Sequence, residues 1–164
     1  MILRCTKKLL AVIGAQRLTK PPPEADPDDW YANLLWFNRR KCLLLTHSAT
    51  LFTVFEADVT TAELRATGAL ATRLIERELH DEQLPLETFA DTGKHELVLA
   101  TTADRQVLGC MNDLAFTCRH IIDSSGGLGD TDRRHLNRSL RRVISSARDY
   151  RPPIELVAKG WTAR

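Results

Sequence analysis

The chain has 164 residues, of which 43% are hydrophobic and 27% charged, and its formal net charge is +2. This composition excludes a disordered chain and is typical of globular proteins, and at this length we expect a single domain over residues 1–164. No apolar run approaches the roughly 18 residues of a membrane span, and the N-terminal stretch lacks the layout of a signal peptide. We therefore expect a cytoplasmic protein that makes no contact with a membrane.

The N-terminal residues predict a strand, a short helix and a long loop. Ile2–Cys5 is the predicted strand, and Thr6 can cap a helix that runs through Ile13, with Gly14 as its left-handed stop. Residues 19–29 contain four prolines and four acidic residues, which disfavour a regular element. We expect a surface loop there, long enough to be mobile.

Two apolar runs flanking a basic turn predict a long hairpin at the centre of the sheet. The runs are Trp30–Phe37 and Cys42–Phe55, and the turn between them is Asn38-Arg39-Arg40-Lys41. Both runs are rich in aromatic and branched residues without clean alternation, as expected for strands that are buried on both faces.

Three longer helices are predicted near residues 61–80, 103–124 and 131–147. The first opens with a capping box from Thr60 to Glu63. The second has the clearest helical periodicity of the chain, and Thr101 with Asp104 would form a second capping box. Because Gly109 weakens a helix, residues 105–110 could instead extend the strand expected at 96–100. Residues 154–158 follow two prolines and are expected to form an edge strand.

These elements predict one α/β or α+β domain, with a mixed or antiparallel sheet around the central hairpin and three longer helices packed on it. The chain shows no internal repeat and no low-complexity tract. The residues that we expect to be mostly buried are Leu34, Trp36, Leu43, Leu45, Phe52, Val54, Leu74, Leu108, Met111, Leu114, Cys118 and Ile122.

The segment 130–151 is the most basic part of the chain. It holds seven arginines, no lysine and three aspartates, so it carries +4 while the remaining residues carry −2. Arginine favours bidentate recognition of phosphate or carboxylate. This predicted helix and the basic turn could form one electropositive surface, although a solvated helix face and an ordinary polar turn are the alternative. The residues of the expected surface are Arg39, Arg40, Lys41, Arg134, Arg138 and Arg141.

Polar residues around His47 could form a pocket for general acid–base chemistry. His47 would act as acid or base, supported by Arg39, Arg105 or Asp113. The alternative is a buried hydrogen-bond network that holds a helix to the sheet, since no second His or Cys is positioned as a partner. The residues of this polar set are Asn33, Thr46, His47, Arg105, Asn112 and Asp113.

No metal ion and no cofactor is expected. The four cysteines form no CxxC pair, no histidine completes a zinc-finger spacing, and the glycine-rich residues 124–129 follow a helix where a dinucleotide fingerprint would follow a strand. The cysteines lie in apolar contexts, where a reduced thiol behaves as a small hydrophobic residue.

Three sequence blocks resemble an uncharacterised prokaryotic family, a domain of unknown function found on bacterial chromosomes and plasmids. The blocks are ILRCTKKLL at 2–10, WYANLLWFNRRKCLLLTHSATLF at 30–52 and DRQVLGCMNDLAF at 104–116, and the arginine-rich tail matches less clearly. The resemblance implies no activity, cofactor or catalytic residue. It implies only that the family motifs include Asn33, Arg39, Arg40, Lys41, Thr46, His47, Arg105, Asn112 and Asp113.

Three functions are compatible with this sequence. The leading one is a small cytoplasmic binding module that contacts nucleic acid or an acidic protein through the arginine-rich helix and the turn at 39–41. The first alternative is a metal-independent enzyme, a nuclease or a transferase, that uses His47. The second is an interaction or scaffold protein, such as a homo-oligomer, that pairs through the strand expected at 154–158 or covers Trp161.

Overall fold

The strands of the chain form one mixed sheet. The computed structural model describes residues 1–14, 18–20, 23–89 and 97–160. The strands are β1 (Ile2–Cys5), β2 (Trp30–Phe37), β3 (Arg40–His47), β4 (Thr53–Glu56) and β5 (Val98–Thr101). Their order across the sheet is β4-β3-β2-β1-β5. β1 pairs in parallel with β2 and β5, whereas β3 is antiparallel to β2 and β4, so the predicted mixed sheet around the hairpin is confirmed.

The sheet is covered on both faces by α-helices, which makes the fold α+β. The helices in the described ranges are α1 (Lys7–Ile13), α2 (Thr61–Arg65), α3 (Thr67–Asp81), α4 (Arg105–Ser124), α5 (Arg133–Leu140) and α6 (Pro153–Ala158). One buried cluster joins the sheet to α1, α2, α3 and α6, and the other joins it to α4 and α5. Because β2 and β3 contribute side chains to both clusters, their sequences are apolar at consecutive positions.

The second apolar run of the hairpin is two strands and not one. β3 ends at His47, a short turn follows, and β4 begins at Thr53. In that turn Leu51 has φ of 58°, and the backbone N–H of His47 donates to the carbonyl of Phe52 over 2.9 Å. The run Cys42–Phe55 therefore folds back on itself at the small and polar residues 48–50, where the Thr50 hydroxyl accepts from the N–H of Phe52.

The predicted helix starts are confirmed in part. Thr60 and Glu63 form the expected capping box at α2, and a kink at Ala66 separates α2 from α3. α4 begins at Arg105, so the extended-strand alternative for residues 105–110 is wrong. Thr101 ends β5, and Asp104 caps α4 by itself by accepting from the backbone N–H groups of Gln106 and Val107.

The C-terminal part of the chain differs from the prediction. α5 ends at Leu140, seven residues earlier than expected, and a 3-10 turn follows at Ser146–Arg148. The prediction of an edge strand at 154–158 is wrong, because these residues belong to α6. Pro153 occupies the first turn of that helix, where its fixed φ and missing N–H do no harm. The Trp161 prediction falls on a residue outside the described ranges.

Most of the predicted core is buried. Ten of the twelve residues are below a tenth exposed, and Leu108 is partly buried. The prediction that Trp36 is buried is wrong, since this residue is 52% exposed. β1 pairs with β2 only as far as Ala32, so the far end of β2 extends past its neighbour and leaves Trp36 uncovered.

A buried arginine holds down part of the predicted surface loop. Arg4 of β1 is fully buried and forms an ion pair with Asp29. Its guanidinium also donates to the backbone carbonyls of Pro23, Glu24 and Thr101. Residues 23–29 of the predicted loop are thereby fixed to the end of the sheet. This contrasts with the mobility expected from the length of the loop.

Candidate functional site

The hairpin turn consists of two residues in the left-handed region. Asn38 and Arg39 have φ of 48° and 63° and connect the paired residues Phe37 and Arg40. Two positive φ values in a two-residue loop are characteristic of a type I′ turn, whose twist matches that of the flanking strands. The turn is shorter than expected because Arg40 and Lys41 already belong to β3.

The three cations at the turn have different surroundings. Arg40 forms an ion pair with Asp58, and both side chains are nearly half exposed. The ammonium group of Lys41 lies 5.3 Å from the centre of the Trp36 ring, a cation–π distance. Arg39 is exposed at the tip of the turn. The side chains of Arg39 and Lys41 are therefore available for contact with another molecule, while the charge of Arg40 is largely neutralised by Asp58.

An open cleft lies beside the far end of β2. It has a volume of about 410 Å³ and lies between β2, the first turn of α1 and the middle of α4. We call it the hairpin cleft. Its lining residues are Lys8, Asn33, Leu34, Leu35, Trp36, Phe37, Asn112, Ala115, Phe116 and Arg119.

The hairpin cleft combines positive charge with exposed aromatic rings. Its ionisable lining residues, Lys8 and Arg119, are both cationic, and none of its lining residues is acidic. Phe116 is 73% exposed on α4, and the guanidinium of Arg119 lies 5.4 Å from the centre of the Phe37 ring. With Lys41 over Trp36, two of the three rings that line the cleft, Trp36 and Phe37, have a cation nearby, so an anionic group entering the cleft would meet several cations together with apolar surface.

Two members of the predicted polar set, Asn33 and Asn112, meet in this cleft. Asn33 is buried, and its side-chain oxygen accepts from the hydroxyl of Thr6 over 2.9 Å. Thr6 therefore joins the start of α1 to β2 and makes no capping hydrogen bond with its own helix. Asn112 is exposed on α4. Asn33 therefore makes a hydrogen bond of the kind that the structural alternative requires, and the two amides place hydrogen-bonding groups on the cleft wall.

His47 lies in a different environment, in the core. Its side chain is 1% exposed, and its ring centre lies 5.3 Å from that of Trp30 and 4.6 Å from that of Phe89. The ring nitrogen Nδ1 is 3.0 Å from the hydroxyl of Thr50. Burial, with a smaller contribution from the charge of Arg148, lowers the pKa of His47 to about 3. His47 is therefore neutral and shielded from solvent, which is not the position of an acid–base catalyst.

The other residues of the predicted catalytic pocket are dispersed. Thr46 is buried, with its hydroxyl 3.2 Å from that of Thr53. Asp113 lines a separate cavity of about 240 Å³ between α4 and the segment after α5. Arg105 is exposed at the first residue of α4. The structure thus brings Asn33 and Asn112 together and does not bring His47, Arg105 and Asp113 into one described cavity.

The arginines of the 130–151 segment mainly bind acidic residues of α3. Arg141 was expected on the surface but is fully buried, with Nη1 2.9 Å from Glu78 and Nη2 2.8 Å from Glu82. Arg134 forms an ion pair with Asp81, and Arg142 forms one with Glu82. Arg141 shares the inner face of α5 with Asn137, four residues earlier, and this explains its burial.

Arg138 is the exception within this group. It is exposed, and its guanidinium donates only to the backbone carbonyl of Asp81, over 3.3 Å. Of the three arginines of this helix that the sequence predicted to bind a partner, Arg138 alone keeps an exposed guanidinium without an ion pair in the described structure.

The ion pairs favour the charged form of Asp81, the last residue of α3, and of Glu82, which follows it. The hydrogen bond from Arg134 lowers the pKa of Asp81. Burial alone would raise the pKa of Glu82, but hydrogen bonds from Arg142 and Arg141 outweigh it and lower the pKa. The predicted basic surface is therefore in large part an internal clamp between α3 and α5.

Neither the cysteines nor the acidic and histidine residues form a recognisable site in the described ranges. The four cysteines are free thiols, and burial raises the pKa of Cys5 to about 12 and of Cys42 to about 11. No group of three or more His, Cys, Asp or Glu side chains in those ranges could hold a metal ion. Within the same ranges, no helix has the length and apolar character to cross a bilayer.

Sequence reasoning did not identify Lys8, Trp36, Phe116 and Arg119 as members of one site. A signal was present on α4, where Asn112, Phe116 and Arg119 recur every three or four residues on the side opposite the apolar stripe. An exposed phenylalanine in that pattern is unusual for a solvated helix face. The extension of β2 beyond β1, which opens the cleft, depends on pairing register and is not visible in the sequence.

The chain belongs to a family of unknown function. Its residues 2–156 match the family described as Domain of unknown function (DUF6933). The expected resemblance to such a family is confirmed, and the match extends through the arginine-rich segment. No curated protein and no solved structure matches the chain.

Proposed function

We propose that the protein is a small binding module that holds an anionic macromolecular partner in the hairpin cleft. The observation that carries this proposal is the composition of the cleft wall. Two cations, two amides and two exposed aromatic rings line one concavity, and no acidic residue lines it. Nucleic acids and acidic proteins both present repeated negative charge with apolar or planar groups between, which is the complement of such a surface.

The proposed binding surface is the hairpin cleft, whereas the sequence predicted it on the arginine-rich helix. Arg134, Arg141 and Arg142 of that segment have acidic partners at the C-terminal end of α3, so they add little attraction for an external anion. Arg39 and Lys41 at the hairpin turn remain available and extend the positive surface from the cleft to the tip. An enzymatic function based on His47 finds no comparable support, since the ring is buried in the core.

We also propose a cytoplasmic location and a prokaryotic source. The free thiols are compatible with a reducing compartment, and the source follows the resemblance described above. Fractionation of cells that express the tagged protein would test the location.

Salt-dependent retention on heparin provides the first test of this function. We expect the purified protein to bind heparin at low ionic strength and to elute as salt rises, because attraction between exposed charges is screened. The double variant Lys8→Glu with Arg119→Glu should elute at distinctly lower salt. Elution of this variant at the wild-type position would contradict the proposal.

A matched double variant distinguishes the contribution of the cleft residues to retention from that of the net charge. Arg105→Glu with Arg138→Glu changes the net charge by the same amount, and both residues are exposed outside the cleft. We expect this variant to elute close to the wild-type protein. Equal loss of retention in both variants would show that binding depends on net charge and not on the cleft.

A further inference from the structure

We infer that the partner is an extended acidic peptide that adds a strand to the free edge of β2. This inference rests on the proposed function and names the kind of partner that the hairpin cleft would hold. Addition of a strand to an open sheet edge is a common mode of peptide recognition, in which main-chain hydrogen bonds give affinity and alternate side chains give specificity.

The pairing register shows which backbone groups of β2 face the cleft. The carbonyl of Lys41 accepts from the N–H of Val59, so it points away from β2. Trp36 is paired with Lys41 and must therefore direct its own N–H and C=O away from β3, as must Leu34 two residues earlier. Ala32 follows the same phase, and its carbonyl accepts from the N–H of Thr6.

No strand occupies this edge beyond Ala32 in the described structure. The pairing of β1 with β2 ends at Cys5 and Ala32, and no described residue forms a hydrogen bond with the outward backbone groups of Leu34 or Trp36. The unpaired edge therefore runs from Leu34 to Phe37, roughly 13 Å at the usual rise of a strand, and it is most exposed at Trp36, whereas Leu34 is 2% exposed. Backbone donors and acceptors in this arrangement form a template for another strand.

The two outer strands of the sheet are protected at their free edges. On β4, both backbone groups of Phe55 bind the side-chain amide of Asn137. On β5, the carbonyl of Leu99 accepts from the N–H of Thr19 over 2.9 Å. Natural sheets usually cover their edges to prevent pairing with other chains, so an edge left open within a cleft is the exception that fits a binding role.

Both faces of an added strand would meet an aromatic ring and a cation. Side chains alternate between the two faces of a strand, and the cleft is bounded on one side by Lys8 and Trp36 and on the other by Phe116 and Arg119. An extended peptide with acidic residues at alternate positions would place its carboxylates beside a cation whichever face they take. This complementarity favours an acidic peptide over a neutral or basic one.

An extended peptide fits these observations better than a nucleic acid. A nucleic acid would use the cations and the exposed rings, but it has no row of amide and carbonyl groups to pair with the outward groups of Leu34 and Trp36. The ring of Trp36 already has the ammonium group of Lys41 over it, which leaves less of that ring for base stacking.

The test uses a fluorescent peptide of about six residues, the usual length of a strand, in which glutamate and valine alternate. Binding is measured by fluorescence anisotropy with the full-length protein. We expect saturable binding that weakens with salt. A matched peptide N-methylated at every residue has lost the donors of both edges and should bind at least about tenfold more weakly.

Two variants of the protein separate the backbone edge from the aromatic ring. Trp36→Ala removes the ring but keeps the N–H, whereas Trp36→Pro removes both without disturbing the pairing of β2 with β3, because that N–H points away from β3. We expect Trp36→Pro to bind the peptide more weakly than Trp36→Ala, by up to about tenfold. Equal affinity of the two variants, or of the methylated and unmethylated peptides, would overturn strand addition.

Binding measurements with a second probe distinguish failure of this inference from failure of the proposed function. One outcome is that a single-stranded oligouridylate binds, that Lys8→Glu with Arg119→Glu abolishes this binding, and that the peptide does not bind. That outcome would support the proposed function and overturn the peptide inference. Binding of neither probe at low salt would overturn both. Light scattering without any probe tests a second copy of this chain as occupant, and a dimer dispersed by Trp36→Pro would also overturn the acidic peptide.

Discussion

The side-chain amide of Asn137 forms two hydrogen bonds with the backbone of Phe55. Its oxygen accepts from the N–H of Phe55 over 2.6 Å, and its nitrogen donates to the carbonyl of Phe55 over 2.9 Å. Phe55 lies on β4, whose outer side has no strand neighbour in the sheet. Asn137 thus reproduces the pair of hydrogen bonds that a neighbouring strand would make, and it is fully buried while doing so.

We predict that Asn137→Ala destabilises the protein by about 1–3 kcal/mol. The reason is that the N–H and C=O of Phe55 would be left buried without partners. Urea unfolding followed by circular dichroism measures the free energy of unfolding. Arg138→Ala, at the next and exposed position of α5, is the control and should change stability by less than about 0.5 kcal/mol. Equal stability of the two variants would contradict the role given to Asn137.

We predict that neighbouring arginines differ strongly in their effect on stability. Arg141→Met should cost about 3–5 kcal/mol, because it leaves the buried carboxylate of Glu78 without one of its partners. Arg142→Met should cost less than about 1 kcal/mol, since the Arg142 side chain is 50% exposed and its ion pair is screened by water. Urea unfolding again gives both values, and similar losses would contradict the buried position of Arg141.

We predict that His47 makes the protein less stable as the pH falls below neutral. Its folded pKa of about 3 lies below the ordinary value of 6.5, so the unfolded state binds the proton first when the pH decreases. The free energy of unfolding should therefore be highest above pH 6.5 and decrease below it by up to about 1.4 kcal/mol per pH unit. Urea unfolding between about pH 5 and pH 7 measures this slope while most carboxylates remain charged.

The variant His47→Asn provides the comparison for this pH dependence. Asn can keep a hydrogen bond with Thr50 but has no proton to gain. We expect the slope between those pH values to become nearly flat, although the variant is less stable at neutral pH. A slope unchanged from the wild-type protein would assign the pH dependence to other groups.

We predict that Arg39→Gly stabilises the fold by up to about 1 kcal/mol. Arg39 has φ of 63°, a conformation that glycine adopts without steric cost, and the resulting Asn-Gly pair is the favoured sequence of a type I′ turn. Thermal unfolding should show a higher midpoint temperature. Thr61→Gly at the first residue of α2 is a control with the opposite expected sign, because glycine there weakens a helix.

Periodicity and capping residues were sufficient to predict most of the sheet and helices. The apolar runs around the turn are buried on both faces of the sheet, and the stripe on α4 buries one face of the helix; both patterns can be recognised in the local sequence. The segment 154–158 was mispredicted because a short apolar run after proline is compatible with either a strand or a helix. The backbone N–H of Ile154 donates to the carbonyl of Arg141, a tertiary contact that no local pattern reveals.

The candidate site was less predictable than the fold. Asn33 was correctly singled out because a polar residue in an apolar strand needs a partner. Arg141 was wrongly placed on the surface because charge predicts exposure only where the interior offers no acidic partner. Here Glu78 of α3 and Glu82, which follows α3, are those partners. Trp36 was wrongly placed in the core because its exposure depends on where β1 ends, which is a property of the sheet and not of β2.

The position of β1 between β2 and β5 in the sheet has a consequence for how the chain folds during synthesis. β1 leaves the ribosome first, yet its neighbour β5 begins at Val98 and pairs with Ile2. At usual rates of translation this strand waits roughly 5–20 s for that neighbour, with one edge unpaired even after β2 has docked. Parallel pairing between such distant segments is intrinsically slow. We therefore expect the nascent chain to depend on chaperones until residues beyond Thr101 have emerged.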